Sequence, residues 1–113
     1  MSDKHIEIAQ KQLDAYNAQD LDAYCGYFTD DVVVADVGGE ANLRGNAAYR
    51  ERYAGAFAKF PNNKAELLNR IVLGNVGIDH ERVDRGDGAT PVFEVAAIYT
   101  FNGDKIARVD FAK

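Results

Sequence analysis

The stretch Phe28-Thr29-Asp30-Asp31-Val32-Val33-Val34-Ala35-Asp36-Val37-Gly38-Gly39-Glu40-Ala41-Asn42-Leu43-Arg44-Gly45 decides the fold. An acidic pair, Asp30-Asp31, reads as a turn leading into an apolar run that carries one carboxylate, Asp36, before Gly38-Gly39 breaks it. Alternate strand residues face opposite ways, so Val32, Val34 and Asp36 share one face and Val33, Ala35 and Val37 the other. Both faces are apolar, which predicts a buried strand with Asp36 carried into a pocket. The competing reading makes Asp36 a turn cap that accepts backbone N–H groups of Gly38-Gly39.

Upstream of this strand, Ile6, Ala9, Leu13 and Tyr16 recur at spacings of three and four, which predicts an amphipathic helix over residues 3–17. Asp20 can cap a second, short helix whose apolar face is Leu21, Tyr24, Cys25 and Phe28. Downstream, Asn46 is a candidate cap for a third helix, which carries Tyr49, Tyr53, Ala56, Phe57 and Phe60 until Pro61 stops it. From residue 62 the pattern becomes extended: Ala65 to Leu73, Val76 to Val83, Pro91 to Phe101 and Lys105 to Ala112. The separators Gly74-Asn75, Arg85-Gly86-Asp87-Gly88 and Asn102-Gly103-Asp104 are turn chemistry. Helices first and strands afterward predict an α+β domain, with three helices on one face of a mostly antiparallel sheet.

A chain of 113 residues is read as one domain, 1–113. With 47% hydrophobic and 27% charged residues it has the balance of a folded globular protein. The net charge of −5, with Arg44, Arg50, Arg52 and Lys59 interrupted by acidic residues, argues against nucleic acid and anionic membrane as partners. No apolar run approaches the ~20 residues that cross a bilayer. Met1-Ser2-Asp3-Lys4-His5 lacks a signal peptide's apolar segment, so a cytoplasmic location is expected. The single Cys25 reads as a buried thiol. His5 and His80 lie far apart with no paired-cysteine spacing, so neither a metal nor a cofactor is expected.

The sequence resembles the nuclear transport factor two-like superfamily, in particular its SnoaL-like, ketosteroid-isomerase-like branch. The residues carrying the resemblance are Asn17-Ala18-Gln19-Asp20-Leu21-Asp22, Phe28-Thr29-Asp30-Asp31, Val34-Ala35-Asp36, Arg44-Gly45 and Tyr49-Arg50-Glu51-Arg52-Tyr53, with a weaker echo at Phe101-Asn102-Gly103-Asp104-Lys105-Ile106. The resemblance implies a cone-shaped, cystatin-like fold in which a strongly curved sheet wraps the helices around a pocket for a small apolar organic ligand. It also implies a homodimer through the sheet. In ketosteroid isomerases the aspartate at the end of the first strand moves the proton, and Asp36 holds that place. Tyr53 resembles the helix tyrosine that supports their oxyanion hole. Their two oxyanion donors, a first-helix tyrosine and a late-strand acid, correspond here to Gln12 and Ala97. One such donor is typically worth ~2.7–4 kcal/mol in the transition state. Limonene epoxide hydrolases of this fold use an Asp-Arg-Asp set, of which only Asp36 is apparent. SnoaL-type cyclases lean on one aspartate as acid and base, which Asp36 alone could supply.

Two functional readings follow. In the first, the protein is an isomerase, cyclase or hydrolase with Asp36 as general acid/base on a carbonyl-type substrate. In the second, the same pocket belongs to a non-catalytic ligand-binding or dimerisation module. Tyr16, Tyr53, Phe57, Phe93 and Tyr99 are candidate ligand contacts, since aromatic rings offer apolar area and tyrosines add a hydroxyl. His80 shares a strand face with Val76 and Ile78 and is a candidate acid or base, or else an interface residue. Arg44 is a candidate for the pocket rim. Glu94, Arg108 and Asp110 are expected on a polar face opposite Phe93, Val95, Val109 and Phe111.

Overall fold

The structure, a computed structural model, describes residues 2–113. Three helices come first or near first: α1 (Ser2–Ala18), α2 (Leu21–Gly26) and α3 (Asn46–Lys59). Between α2 and α3 run β1 (Phe28–Asp36) and β2 (Ala41–Arg44), and after them β3 (Lys64–Leu73), β4 (Val76–Asp84), β5 (Phe93–Asn102) and β6 (Lys105–Ala112). The six strands form one sheet in the order β2-β1-β6-β5-β4-β3, parallel only where β1 meets β6. Residues 64–112 are the antiparallel meander that the turn signals predict. Register breaks at Val34/Ala35, Leu67/Asn69 and Thr100/Phe101 mark where strands bend, so the sheet curves around the helices. The fold is the α+β cone.

Three local differences separate expectation from structure. Asp30-Asp31 is not a turn but an exposed part of β1, which begins at Phe28 and takes that ring from α2 into the core. Gly45, at φ +91, precedes α3 instead of Asn46, because the chain reverses there through a conformation that a side chain resists. The Asn46 amide instead donates to the carbonyls of Cys25, Phe28 and Thr29, tying α3 to the start of β1. On α1 the buried stripe is His5, Ile8, Ala9, Gln12 and Leu13, and Ile6 is exposed. The stripe keeps the helical period but is shifted in phase, because two of its members are polar and hydrophobicity alone does not count them.

Those polar members are satisfied. The His5 ring stacks on Phe101 at 4.2 Å, and its two nitrogens meet the carbonyls of Gly74 at 2.9 Å and Gly103 at 3.1 Å. α1 is thereby pinned to the two turns at the β3–β4 and β5–β6 ends. Farther along, Arg70 on β3 forms a two-pronged pair with Asp79 on β4, at 2.6 and 2.9 Å, and donates to Gln10 of α1 at 2.9 Å. Asp79 is completely buried, so this guanidinium supplies the neutralisation that a carboxylate needs away from water. Cys25 is buried and free. No helix of the described residues is long and apolar enough to cross a membrane.

Candidate functional site

Between the inner sheet face and the helices lies a cavity of about 470 Å³. α1 contributes Gln12, Leu13 and Tyr16 to it, α2 Tyr24, and α3 Tyr49, Arg52, Tyr53 and Ala56. The sheet side is Val34, Glu81, Val83, Phe93, Val95, Ala97, Tyr99, Val109 and Phe111, and Asp36, Asn42, Arg85 and Lys113 complete the lining. Strand alternation places each sheet residue: on β4, Gly77, Asp79, Glu81 and Val83 point inward while Val76, Ile78, His80 and Arg82 point outward.

Tyr16, Tyr53, Phe93 and Tyr99 line the cavity, as the sequence leads one to expect. Phe57 does not; it packs behind the wall, its ring 5.7 Å from Tyr16 and 6.2 Å from Tyr53. His80 does share its face with Val76 and Ile78, but that face is the outer one. There it bonds Glu94 at 2.5 Å and Asn69 at 3.0 Å, away from the cavity. Arg44 is exposed on β2 and does not line the cavity, whereas Arg108 and Asp110 pair with each other on the outer face.

Asp36 reaches the cavity at its mouth, on an exposed position. The Gly39 N–H bonds to the backbone carbonyl of Asp36 at 2.9 Å and not to its carboxylate. Among the described residues nothing hydrogen-bonds that carboxylate, so the turn-cap role is not what holds it there. The burial expected of Asp36 is found instead at Glu81, which the sequence reading did not single out.

Glu81 is 8% exposed, lines the cavity, and has neither a hydrogen bond nor an ion pair among the described residues. Burial first, then the negative charge of Asp79, raises its pKa to about 7, while Arg70 pulls the other way. The sheet register explains how the acid got there. Asp79 lies directly across from Ala97 and Glu81 across from Val95, so β4 carries its two inward acids beside apolar positions of β5. The available signal was the spacing of Asp79 and Glu81, two charged residues on one strand face beside Val83.

The cavity is rich in phenols. The hydroxyls of Tyr24 and Tyr49 are 2.6 Å apart, and the Tyr53 ring lies 5.1 Å from Tyr24 and 4.7 Å from Tyr49. Burial is the leading reason that Tyr16, Tyr24, Tyr49, Tyr53 and Tyr99 all hold their protons more tightly than a free phenol. The charge of Glu81 adds to the effect at Tyr99, Tyr16 and Tyr53. These hydroxyls are therefore donors at any ordinary pH. Gln12 orients one of them: its amide nitrogen donates to the Ala9 carbonyl and to the Tyr99 oxygen, each at 3.0 Å. A carbonyl only accepts, so the Ala9 bond settles which end of the amide faces Tyr99. Tyr99 oxygen then accepts, and its O–H is left to donate into the cavity. Gln12 and Ala97 are thus not empty places in the site; one positions a phenol and the other makes room beside it.

No cluster of three or more His, Cys, Asp or Glu side chains suited to a metal occurs among the described residues. The SnoaL-like domain model matches residues 9–109, and the chain belongs to that family. Among solved structures, a cystatin-fold protein from Novosphingobium aromaticivorans is 39% identical, with 100% of this chain and 99% of that chain covered and a TM-score of 0.89. A candidate polyketide cyclase from Sinorhizobium meliloti is 25% identical over 94% of each chain, with a TM-score of 0.79. A candidate ketosteroid isomerase from Kribbella flavida shares the fold at 14% identity, with 97% of this chain and 77% of that chain covered and a TM-score of 0.81. No curated protein matches the sequence.

Because its charged form is disfavoured in the cavity, Glu81 sets a pH dependence of stability. Below the ordinary value of 4.5 it is neutral in both folded and unfolded chains; as pH rises toward about 7 the unfolded chain ionises first and stability falls. Above pH 7 the full cost is present, roughly 3 kcal/mol at 1.36 kcal/mol per pKa unit. Glu81→Gln should therefore be more stable than the parent in urea at pH 8.5, with the advantage fading at pH 4.5. An equal effect at both pH values would show that ionisation of Glu81 is not the cause.

Proposed function

We propose that the protein is a general acid/base enzyme of the isomerase or cyclase kind, acting on a small carbonyl compound held in the aromatic cavity. The observation that carries this reading is Glu81: a buried carboxylate, unpartnered, facing a cavity, with a pKa of about 7. A base is most effective when its pKa lies near the working pH. As carboxylate, Glu81 takes a proton from the carbon beside the substrate carbonyl. The C–H electron pair moves toward the carbonyl oxygen, and the Tyr99 O–H donates a hydrogen bond to the enolate oxygen so formed. The protonated Glu81 then returns its proton to another carbon of the delocalised system; alternatively the enolate carbon attacks a second carbonyl, the π pair of that C=O moves to its oxygen, and the alkoxide so formed takes the proton back from Glu81 as the ring closes. Substrates such as β-keto esters, whose own carbonyls share the charge, suit a site with one well-placed phenol. The SnoaL-like family and the candidate cyclase from Sinorhizobium meliloti support the same class of chemistry.

Asp36, the acid/base candidate read from the sequence, lines the mouth of the same cavity. The alternative is a binding module with no chemistry at either carboxylate. An aromatic β-keto ester as probe, followed by NMR for loss of its α-proton in deuterated buffer, separates these readings. The parent should accelerate exchange, with a rate that rises as pH passes through about 7 and Glu81 ionises. Glu81→Gln should lower it by roughly a hundredfold or more, and Asp36→Asn by less than about tenfold. The reverse ranking would make Asp36 the base, and binding without any acceleration would leave the binding module.

We also propose a homodimer through the outer sheet face. Ile71, Ile78 and Ile98 stand opposite one another across β3, β4 and β5, and Ile71 is 62% exposed. An apolar row of this kind on a sheet face favours burial against a second copy. Light scattering should give twice the chain mass at micromolar concentration and the single mass for Ile78→Lys. A parent that runs as a monomer would contradict the interface.

A further inference from the structure

We infer that the mouth of the cavity is an anion-recognition site centred on Arg85, and that the natural ligand is a small amphipathic acid with its apolar body inside and its carboxylate at this guanidinium. This deepens the acid/base reading by naming the substrate class, and it rests on that reading only for which end of the ligand reacts.

Arg85 follows β4 and lines the cavity. Its guanidinium lies over the Phe60 ring at 4.8 Å and the Phe93 ring at 5.1 Å, so its planar group is held by two aromatic faces. Nη1 donates to the Asn63 side-chain oxygen at 3.0 Å, and the Asn63 amide in turn donates to the Tyr16 hydroxyl at 2.8 Å. Asn63 is itself buried, at 3% exposure, so the guanidinium is anchored to the interior and not swinging free. One of its five N–H donors is used by the protein, which leaves the rest for a ligand.

What Arg85 lacks is a carboxylate. Arg50, Arg70, Arg82 and Arg108 are each paired with one, whereas Arg85 has none among the described residues. Arg52, which lines the same cavity, has none either and donates only to Asn42. Shortage does not explain this, since the chain has 18 acidic residues against 13 basic ones. Asp36 is the sole carboxylate side chain among the exposed lining of the cavity in the described residues, so Arg52 and Arg85 leave an excess of positive charge there. That charge extends inward: Arg85 favours the ionised form of Tyr16, the same hydroxyl whose ionisation the negative charge of Glu81 opposes, and burial outweighs both. The cavity is therefore polarised, with a cation at the opening and an acid farther in. A neutral ligand would use only the apolar wall. A carboxylate would also complete the donors of a guanidinium already fixed in place, the geometry in which arginine binds carboxylates most strongly.

The test uses 2-naphthoate and the neutral 2-naphthamide, ligands of nearly equal shape, titrated calorimetrically into the parent at pH 6, where Glu81 is mostly neutral. The acid should bind at least about tenfold more tightly than the amide, the ratio expected for one charge-assisted hydrogen-bonded pair. Arg85→Gln should erase the preference and keep the amide affinity, which also reports that the variant is folded. Glu81→Gln should keep the preference, so a failure of the proton-transfer reading leaves this result standing and the converse holds too. Equal binding of the two probes, no binding of either, a preference that survives Arg85→Gln, or loss of both probes in that variant would each overturn the assignment.

Discussion

A buried carboxylate is tolerated in a protein either by pairing it with a cation or by letting it stay neutral, and β4 uses both solutions two residues apart. Asp79 takes the Arg70 guanidinium in a two-pronged bond, and Arg70 also reaches Gln10 of α1. That choice leaves Glu81 buried with no cation of its own, and burial first, then the retained negative charge of Asp79, keeps its proton on to about pH 7. The structural pair and the reactive acid are thus one arrangement. Removing Arg70 would leave two uncompensated carboxylates on the inner face, while moving it toward Glu81 would return that group to an ordinary ion pair.

The same economy runs through the helix side. Gln12 spends both amide hydrogens, one within its own helix and one on Tyr99, and so converts a strand phenol into a directed donor. Tyr24, Tyr49 and Tyr53 pack against one another as an aromatic wall, and the hydroxyls of Tyr24 and Tyr49 bond each other at 2.6 Å. At the opening the logic reverses, and Arg85 and Arg52 stand without carboxylate partners among the described residues of an acidic protein.

Much of the fold was legible because its signals are local. The turn clusters after Leu73 and Asn102 set the meander, and Pro61 ends α3 as its chemistry requires. The aromatic spacing of α3 and β5 marks inward-facing residues, of which Tyr53 and Tyr99 line the cavity and Phe57 packs behind it. Parity on β4 was not legible. Val76 and Ile78 are more hydrophobic than Gly77, Asp79 and Glu81, so hydrophobicity points to the wrong face as the inner one. The outer face carries its own apolar row, Ile71, Ile78 and Ile98, and only the register with β3 and β5 shows which side the helices cover. For that single reason hydrophobicity favours His80, and not Glu81, as the pocket group of β4. Asp36 illustrates a second limit: the strand pattern correctly led to the cavity but could not say that its last residue emerges at the mouth.

The central claim is that Glu81 is a cavity acid that titrates in the neutral range. Its side-chain carboxyl carbon, labelled with carbon-13 and followed by NMR from pH 4 to 9, measures this directly in the intact protein, with Glu81→Gln supplying the assignment. A midpoint near 7 is the predicted result. A midpoint at the ordinary glutamate value of 4.5 would contradict the account, because it would mean that the cavity solvates this carboxylate as water does.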